Sequence, residues 1–183
     1  MKIFFVTHNK DKVKEAKAIL EPSIEVEQVN FDYLELRSDD PQEVSKLAAK
    51  QCAERFGKAV VVEDSGLFIN AWDGFPGTCS AYIHKRIGLK GILKLMEGVK
   101  DRSCSYRSAV GYCKPGKEAV VFLGEEEGKV ADMIRGSYGF GHDPIFIPEN
   151  SDKTYGEMRN AADAKKFRRI AFEKLRDHVE KSL

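Results

Sequence analysis

Lys2-Ile3-Phe4-Phe5-Val6-Thr7-His8-Asn9-Lys10-Asp11-Lys12-Val13-Lys14-Glu15 opens the chain and decides how the rest is read. Residues 2–7 alternate little and are rich in Phe, Ile and Val, which suits a strand buried on both faces. Asn9 follows as a helix N-cap candidate. Val13, Ala16, Ile19 and Leu20 then form one stripe, so 10–20 is expected to be helical. Outward from there, Ile24-Glu25-Val26-Glu27-Gln28-Val29 alternates as a strand. Residues 41–56 open with Pro41 near a helix start and carry Val44, Leu47, Ala48 and Cys52 on one face. Ala59-Val60-Val61-Val62 reads as another buried strand. Strand, helix, strand, helix, strand predicts a layered α/β core.

The remainder is less regular. Gly74-Phe75-Pro76-Gly77 is a turn by composition. Residues 79–97 have helical spacing with a break at Gly88. Residues 103–113 alternate as a long strand, Lys114-Pro115-Gly116-Lys117 is a hairpin turn, and Ala119–Leu123 returns. Gly128–Ile134 extends that sheet. Residues 160–182 close the chain as one amphipathic helix through Ala164, Phe167, Ala171 and Leu175. The hairpins in the middle predict a second, smaller lobe within a single domain over 1–183. A cleft between two lobes is the usual place for a small-molecule site.

With 183 residues, and domains of roughly 150, one domain is expected. A chain this long buries about 70% of its unfolded surface and needs no disulfide or structural metal to fold. Thirty Lys and Arg against 29 Asp and Glu leave a formal charge of +1, which argues against a protein that grips duplex DNA by neutralising phosphates. A small anionic ligand needs only a local positive patch and stays open. No apolar run approaches the roughly 18 residues of a membrane span. The opening apolar run is too short for a secretory signal. Cys52, Cys79, Cys104 and Cys113 lie far apart with no C-x-x-C pair, so neither a zinc site nor a disulfide framework is expected, and a reducing cytoplasm fits best.

Five stretches could carry chemistry. Thr7 to Glu15 sits where a strand gives way to a helix, and unpaired N–H groups with the positive end of the helix dipole make an anion site there. Lys12 in the first turn opposes that dipole, a conflict that a bound anion would relieve; the plainer reading is an Asn cap among solvated lysines. Glu63-Asp64-Ser65-Gly66-Leu67 places two carboxylates at the expected C-terminal end of an apolar strand, the edge where α/β sheets collect ligands. Neighbouring strand residues face opposite sides, so Glu63 and Asp64 have different tasks. One could hold Mg2+, which takes one or two carboxylates plus phosphate oxygens, or orient a water; Asp-Ser-Gly is equally good turn chemistry. Glu35, between Leu34 and Leu36 before an acidic loop, is a metal-ligand candidate or a surface turn residue.

Gly136, Gly139 and Gly141 surround Phe140 and let backbone approach a ligand closely. A Phe ring can stack on a nucleobase, worth about 1–3 kcal/mol, and Asp143 could accept from a ring N–H; a tight turn with a core Phe is the alternative. Lys165-Lys166-Phe167-Arg168-Arg169 on the last helix is either a solvated basic face or a contact to base carbonyls or phosphate. His84 and His178 read as isolated surface residues.

Together these stretches resemble the inosine triphosphate pyrophosphatase family, the non-canonical purine nucleoside triphosphate pyrophosphatases. The family's T-x-N-x-x-K-x-x-E appears as Thr7, Asn9, Lys12 and Glu15. Its E-D-S-G-L is Glu63 to Leu67, its G-F-P-G is Gly74 to Gly77, and its F-G-x-D-P-I-F is Phe140 to Phe146. The resemblance implies an elongated mixed-sheet α/β fold with two lobes and a central cleft, assembled as a homodimer. It implies Mg2+-dependent hydrolysis of ITP, dITP and XTP to the monophosphate and pyrophosphate. It also implies roles. Thr7, His8, Asn9, Lys10, Asp11 and Lys12 would bind the triphosphate, with Lys12 and Asp64 catalytic. Glu35 and Asp64 would serve the metal, Asp64 would also be the general base, and Ser65 would touch substrate. Phe140, Gly141, His142 and Asp143 would frame the base.

One region departs from the family. K-N-x-x-S-H-R before the final helix is here Asp163-Ala164-Lys165-Lys166-Phe167-Arg168-Arg169. Alignment through Ala171 and Leu175 puts Arg168 at the family Arg, and a shift of one residue selects Arg169. The upstream Lys is lost, and Lys165 or Lys166 could substitute. A donor such as Arg168 would match a base carbonyl and be left unpaired by adenine's amino group, and buried sites of that kind discriminate by roughly 10⁴–10⁵. The altered segment keeps open a related pyrophosphatase acting on other modified or pyrimidine triphosphates. Aromatic residues beside basic ones raise a third reading, a non-catalytic nucleotide-binding module, against which the retained Glu63–Asp64 pair speaks. Nucleic acid and membrane are not expected partners.

Overall fold

β1 (Lys2–Val6) lies parallel to both β2 (Glu25–Val29) and β3 (Val60–Ile69) in the computed structural model, which describes residues 1–181. With β4 (Ser103–Cys113), β5 (Val120–Val130) and β6 (Phe146–Pro148) they form a six-stranded mixed sheet in the order β2-β1-β3-β4-β5-β6. β5 and β6 pair antiparallel. The helices are α1 (Lys10–Leu20), α2 (Pro41–Phe56), α3 (Ser80–Leu95), the single turn α4 (Ala161–Ala164) and α5 (Lys166–Glu180). The α/β class read from the opening third is the class observed.

The chain divides into two compact units. The first comprises Met1–Asp64, Ser108–Gly124 and Phe167–Leu183; the second comprises Ser65–Arg107 and Glu125–Lys166. In the first unit, strand alternation sorts side chains to two faces. Ile3, Phe5 and Val61 pack with Val13, Ala16 and Leu20 of α1 and with Ala171, Phe172, Leu175 and Val179 of α5. Val6, Val60 and Val62 pack with Ala48, Ala49, Cys52 and Ala53 of α2. Asp40 caps α2 by accepting from the Gln42 N–H, Pro41 takes the first turn, and Gly57 ends it in the left-handed conformation. Extending the β3 alternation by one step each way puts Glu63 on the α1/α5 face and Asp64 on the α2 face.

In the second unit Tyr106, Phe146 and Tyr155 form an aromatic group with ring centroids 4.4 and 5.5 Å apart. The Arg102 guanidinium donates to the carbonyls of Met96, Val130 and Ala131. α3 kinks at Gly88, whose φ of 63° is left-handed.

Four sequence expectations change. β3 does not stop at Val62 but runs to Ile69, because Leu67, Phe68 and Ile69 are buried and that burial overrides the turn preference of Asp-Ser-Gly. Glu63 and Asp64 therefore sit inside a strand, not at its end. β5 is continuous from Val120 to Val130, and 131–134 is not strand. The closing helix is two helices: Lys165 breaks it with φ −67° and ψ 103°. His84 and His178 are half-buried, not isolated surface residues: His84 packs edge-on against His142 with ring centroids 5.1 Å apart, and His178 lies against the rings of Tyr112 and Phe122 at 6.2 and 5.3 Å.

Candidate active site

Asn9 accepts from the backbone N–H groups of Asp11 and Lys12 at 2.9 and 3.3 Å, and Thr7 Oγ1 accepts from the Asn9 N–H. Without a ligand, the α1 N-terminus is thus capped by its own side chains. His8 is exposed and pairs with Asp32 at 2.9 Å; Lys10 and Asp11 are exposed. Lys12 turns inward. Its Nζ donates to the Glu63 carbonyl at 3.2 Å and lies 3.4 Å from Glu63 Oε2.

Glu63 is the centre of a buried network. Arg168 Nε donates to its Oε1 at 2.8 Å, and Ser108 Oγ donates to the same oxygen at 2.6 Å. The other end of Arg168, Nη1, pairs with Glu15. Glu15 occupies the core face of α1 beside Val13 and Ala16, a costly place for a carboxylate without a partner. Two cations and two carboxylates close the charge balance. Burial pushes the Glu63 carboxyl up, but Arg168, Lys12 and Ser108 outweigh it and hold it at about 2. Arg168 is 2% exposed. The structure places Arg168 in buried ion pairs with Glu15 and Glu63, where the sequence reading has it as a donor to a base carbonyl. Arg169 is half-buried on α5.

Asp64 stands in contrast one residue on. Its Oδ2 is buried without a hydrogen-bond partner. Burial pushes its carboxyl up to about 7; Lys12 opposes this, and the negative charges of Glu63 and Glu35 add to it. Glu35 is exposed on the segment after β2 and close enough to act on Asp64 electrostatically. Tyr33 packs against the α2-side cluster, and burial, with Glu35 and Asp64 nearby, pushes its phenol well up. An orphaned carboxylate oxygen repelled by two neighbouring carboxylates is a donor set that fits a hard divalent cation. Among the described residues no group of three or more His, Cys, Asp or Glu side chains is placed to hold a metal. Such an ion would complete its shell with phosphate oxygens and water.

Ser65, half-buried on β3, opens the second unit. Further along that unit, Asp143 is 2% exposed and organises the glycine-rich loop. Its Oδ2 accepts from the Phe140 N–H at 2.7 Å and pairs with Lys165 Nζ at 2.9 Å; its Oδ1 accepts from the Tyr106 hydroxyl at 3.3 Å. Lys165 Nζ also lies 4.0 Å from the centroid of the half-buried Phe140 ring. Gly141 is half-buried. His142 is buried, its Nε2 without a hydrogen-bond partner, and burial with His84 nearby pushes it down to about 4. Gly139 has φ 74°, and a Cβ there would lie 2.1 Å from Asp143 Oδ2. Gly139→Ala is expected to displace Asp143 and raise KM for nucleotide severalfold, read by steady-state kinetics; an unchanged KM would detach this loop from binding.

The structure therefore brings Lys12, Asp64 and Glu35 together in the first unit, and Phe140, Asp143 and Lys165 in the second. Ser108 and the inward turn of Lys165 were beyond the sequence reading. Ser108 is one small residue in an alternating strand, while Lys165 faced inward only because the helix broke there. Glu15 did carry a signal, a charge on an otherwise apolar helical stripe.

The description of the Ham1 family matches residues 3–178. The dITP/XTP pyrophosphatase of Methanopyrus kandleri is 52% identical over 159 residues, covering 86% of this chain and 85% of its own. That of Ignicoccus hospitalis is 40% identical over 181 residues, covering 97% and 96%. Among solved structures, the Staphylococcus aureus Ham1 protein superposes with a TM-score of 0.87 at 27% identity, with all of both chains covered. A match over nearly the whole length makes this chain a member of the Ham1 family.

Proposed function

We infer that this chain is a nucleoside triphosphate pyrophosphatase that hydrolyses the non-canonical purine triphosphates dITP, XTP and ITP to the monophosphate and pyrophosphate. The observation that carries the reading is Asp64: a half-buried carboxyl whose Oδ2 is buried without a hydrogen-bond partner, and which burial pushes up to about 7 against the pull of the Lys12 ammonium. A general base is most effective with a pKa near the working pH. Asp64 takes a proton from the attacking water as its oxygen bonds to the α-phosphorus and the bond to the bridging oxygen breaks. Lys12 offsets the charge of the polyphosphate, and Thr7, Asn9 and the first turn of α1 lie at its anion-binding end. Asp64 and Glu35 would hold Mg2+, which supplies charge neutralisation for the departing pyrophosphate. The Glu63 network keeps Lys12 and the Asp64 backbone in place.

Within the second unit, Phe140, Asp143 and Lys165 form a cluster suited to a purine base. Phe140 offers an aromatic face, and Lys165 offers a donor matched by a base carbonyl and not by an amino group. The 183 residues act as one pyrophosphatase domain. We place it in the reducing cytoplasm, consistent with free thiols at Cys52, Cys79, Cys104 and Cys113. No helix among the described residues is long and apolar enough to cross a membrane. A homodimer is the expected assembly, and light scattering at assay concentration reads it.

Pyrophosphate release from XTP, dITP, ITP, GTP and ATP, with Mg2+ and with EDTA, tests the reading. Fast release from the first three, slow release from the last two, and loss of all release in EDTA are expected. Equal turnover of ATP and XTP would remove the base assignment, and full activity in EDTA would remove the metal.

A further inference from the structure

β5 carries three consecutive glutamates, and strand alternation turns only the middle one inward: Glu126 is buried, while Glu125 and Glu127 are exposed. A buried carboxylate is tolerated only when it is hydrogen-bonded. Glu126 Oε2 accepts from the Tyr155 hydroxyl at 2.5 Å and from the Lys166 backbone N–H at 2.9 Å. Lys166 is the first residue of α5, where backbone N–H groups lack intrahelical partners and negative charge is favoured. Glu126 thus caps this helix from another strand. Burial and the neighbouring carboxylate both push the Tyr155 phenol up, so it stays a proton donor.

The capped residue follows directly on Lys165, whose side chain is 1% exposed and set between Asp143 and the Phe140 ring. A lysine reaches through a flexible four-carbon stem, so its ammonium is placed only as well as its backbone is. We propose that Glu126, backed by Tyr155, is a positioning residue for base discrimination: by capping the start of α5 it sets Lys165 over Phe140 and against Asp143. This rests on the reading that Phe140, Asp143 and Lys165 meet the base.

The test measures kcat/KM for XTP and for ATP, with Tm, in Glu126→Ala, Glu126→Gln, Lys165→Met and the Glu126→Ala/Lys165→Met pair. Glu126→Ala is expected to lower the XTP-to-ATP ratio on the order of tenfold, chiefly through KM for XTP. Glu126→Gln keeps an acceptor oxygen and is expected to recover most of the ratio. Because Glu126 acts through Lys165, the double variant is expected to discriminate no worse than Lys165→Met alone. An unchanged ratio in Lys165→Met would overturn the base-site reading and the proposal together. A lowered ratio in Lys165→Met, with either no change in Glu126→Ala or losses that multiply in the pair, would overturn the positioning role and leave the base site standing. Should Glu126→Ala not fold, Tyr155→Phe removes one hydrogen bond and carries the same test: a severalfold lower ratio supports the proposal and an unchanged one overturns it.

Discussion

Asp64→Asn is expected to lower kcat for XTP by roughly 10²–10⁴-fold, with nucleotide still bound. The amide keeps the size of the carboxyl and cannot accept the proton of the attacking water. Lys12 and the α1 N-terminus are left in place. Two further readouts separate a base from a merely acidic neighbour. Burial holds the Asp64 carboxyl at about 7, far above its ordinary value of 3.8. Only the deprotonated form can act, so the wild-type rate is expected to fall about tenfold per pH unit below that point. A divalent cation at Asp64 favours the carboxylate, so raising Mg2+ is expected to move this acid limb to lower pH, with a proton released on binding. In Asp64→Asn the limb disappears from whatever activity is left. An acid limb indifferent to Mg2+ would separate Asp64 from the metal.

The same group has a consequence for folding. Between the ordinary carboxylate range and about 7, the metal-free folded chain keeps the Asp64 proton and the unfolded chain has lost it. Metal-free stability therefore declines as pH rises through that window. Asp64→Asn has no such decline and is expected to be at least as stable as wild type at neutral pH without metal, by thermal melting in EDTA. An active-site carboxylate that costs stability is common where function places charge in a dry position.

How much of this was legible in the sequence follows the reach of the signals. β1, α1, β2 and α2 were readable because their periodicity is local and their caps, Asn9 and Asp40, lie beside them. β3 was cut short because Asp64-Ser65-Gly66 is turn chemistry, and the burial that overrides it comes from Leu67 to Ile69 and their distant neighbours. The last helix was drawn unbroken because its apolar spacing continues across Lys165. The break is fixed by Glu126, 40 residues away, and no window on 160–182 contains it. The site divides the same way. The adjacent carboxylates Glu63 and Asp64 and the Lys12 turn were visible as residue types at fixed spacing. That Glu63 stays ionised depends on Arg168, 105 residues away in sequence, while Asp64 is pushed up chiefly by its burial.

That long-range pair carries the second large expectation. Arg168→Met is expected to cost about 3–5 kcal/mol of stability at neutral pH, a fall of roughly 6–20 °C in Tm for a chain of this length. The methionine fills much of the volume, so the loss is electrostatic: Glu15 and Glu63 are left in the core with Lys12 as their remaining named cation. The pH dependence identifies the cause. In the wild type Glu63 is held at about 2 against an ordinary 4.5. Its contribution is present above the unfolded value of about 4.5 and is lost as pH falls through the folded value of about 2. Without Arg168 that contribution disappears, so the gap between variant and wild type is expected to be full at pH 7 and to close as pH falls toward 2. Arg168→Met combined with Glu15→Gln is expected to recover part of the loss, because one stranded carboxylate is removed with the cation. A variant that melted like wild type, and lost only its preference for XTP over ATP, would instead return Arg168 to the base and unseat the buried network as the support of the β3 carboxylates.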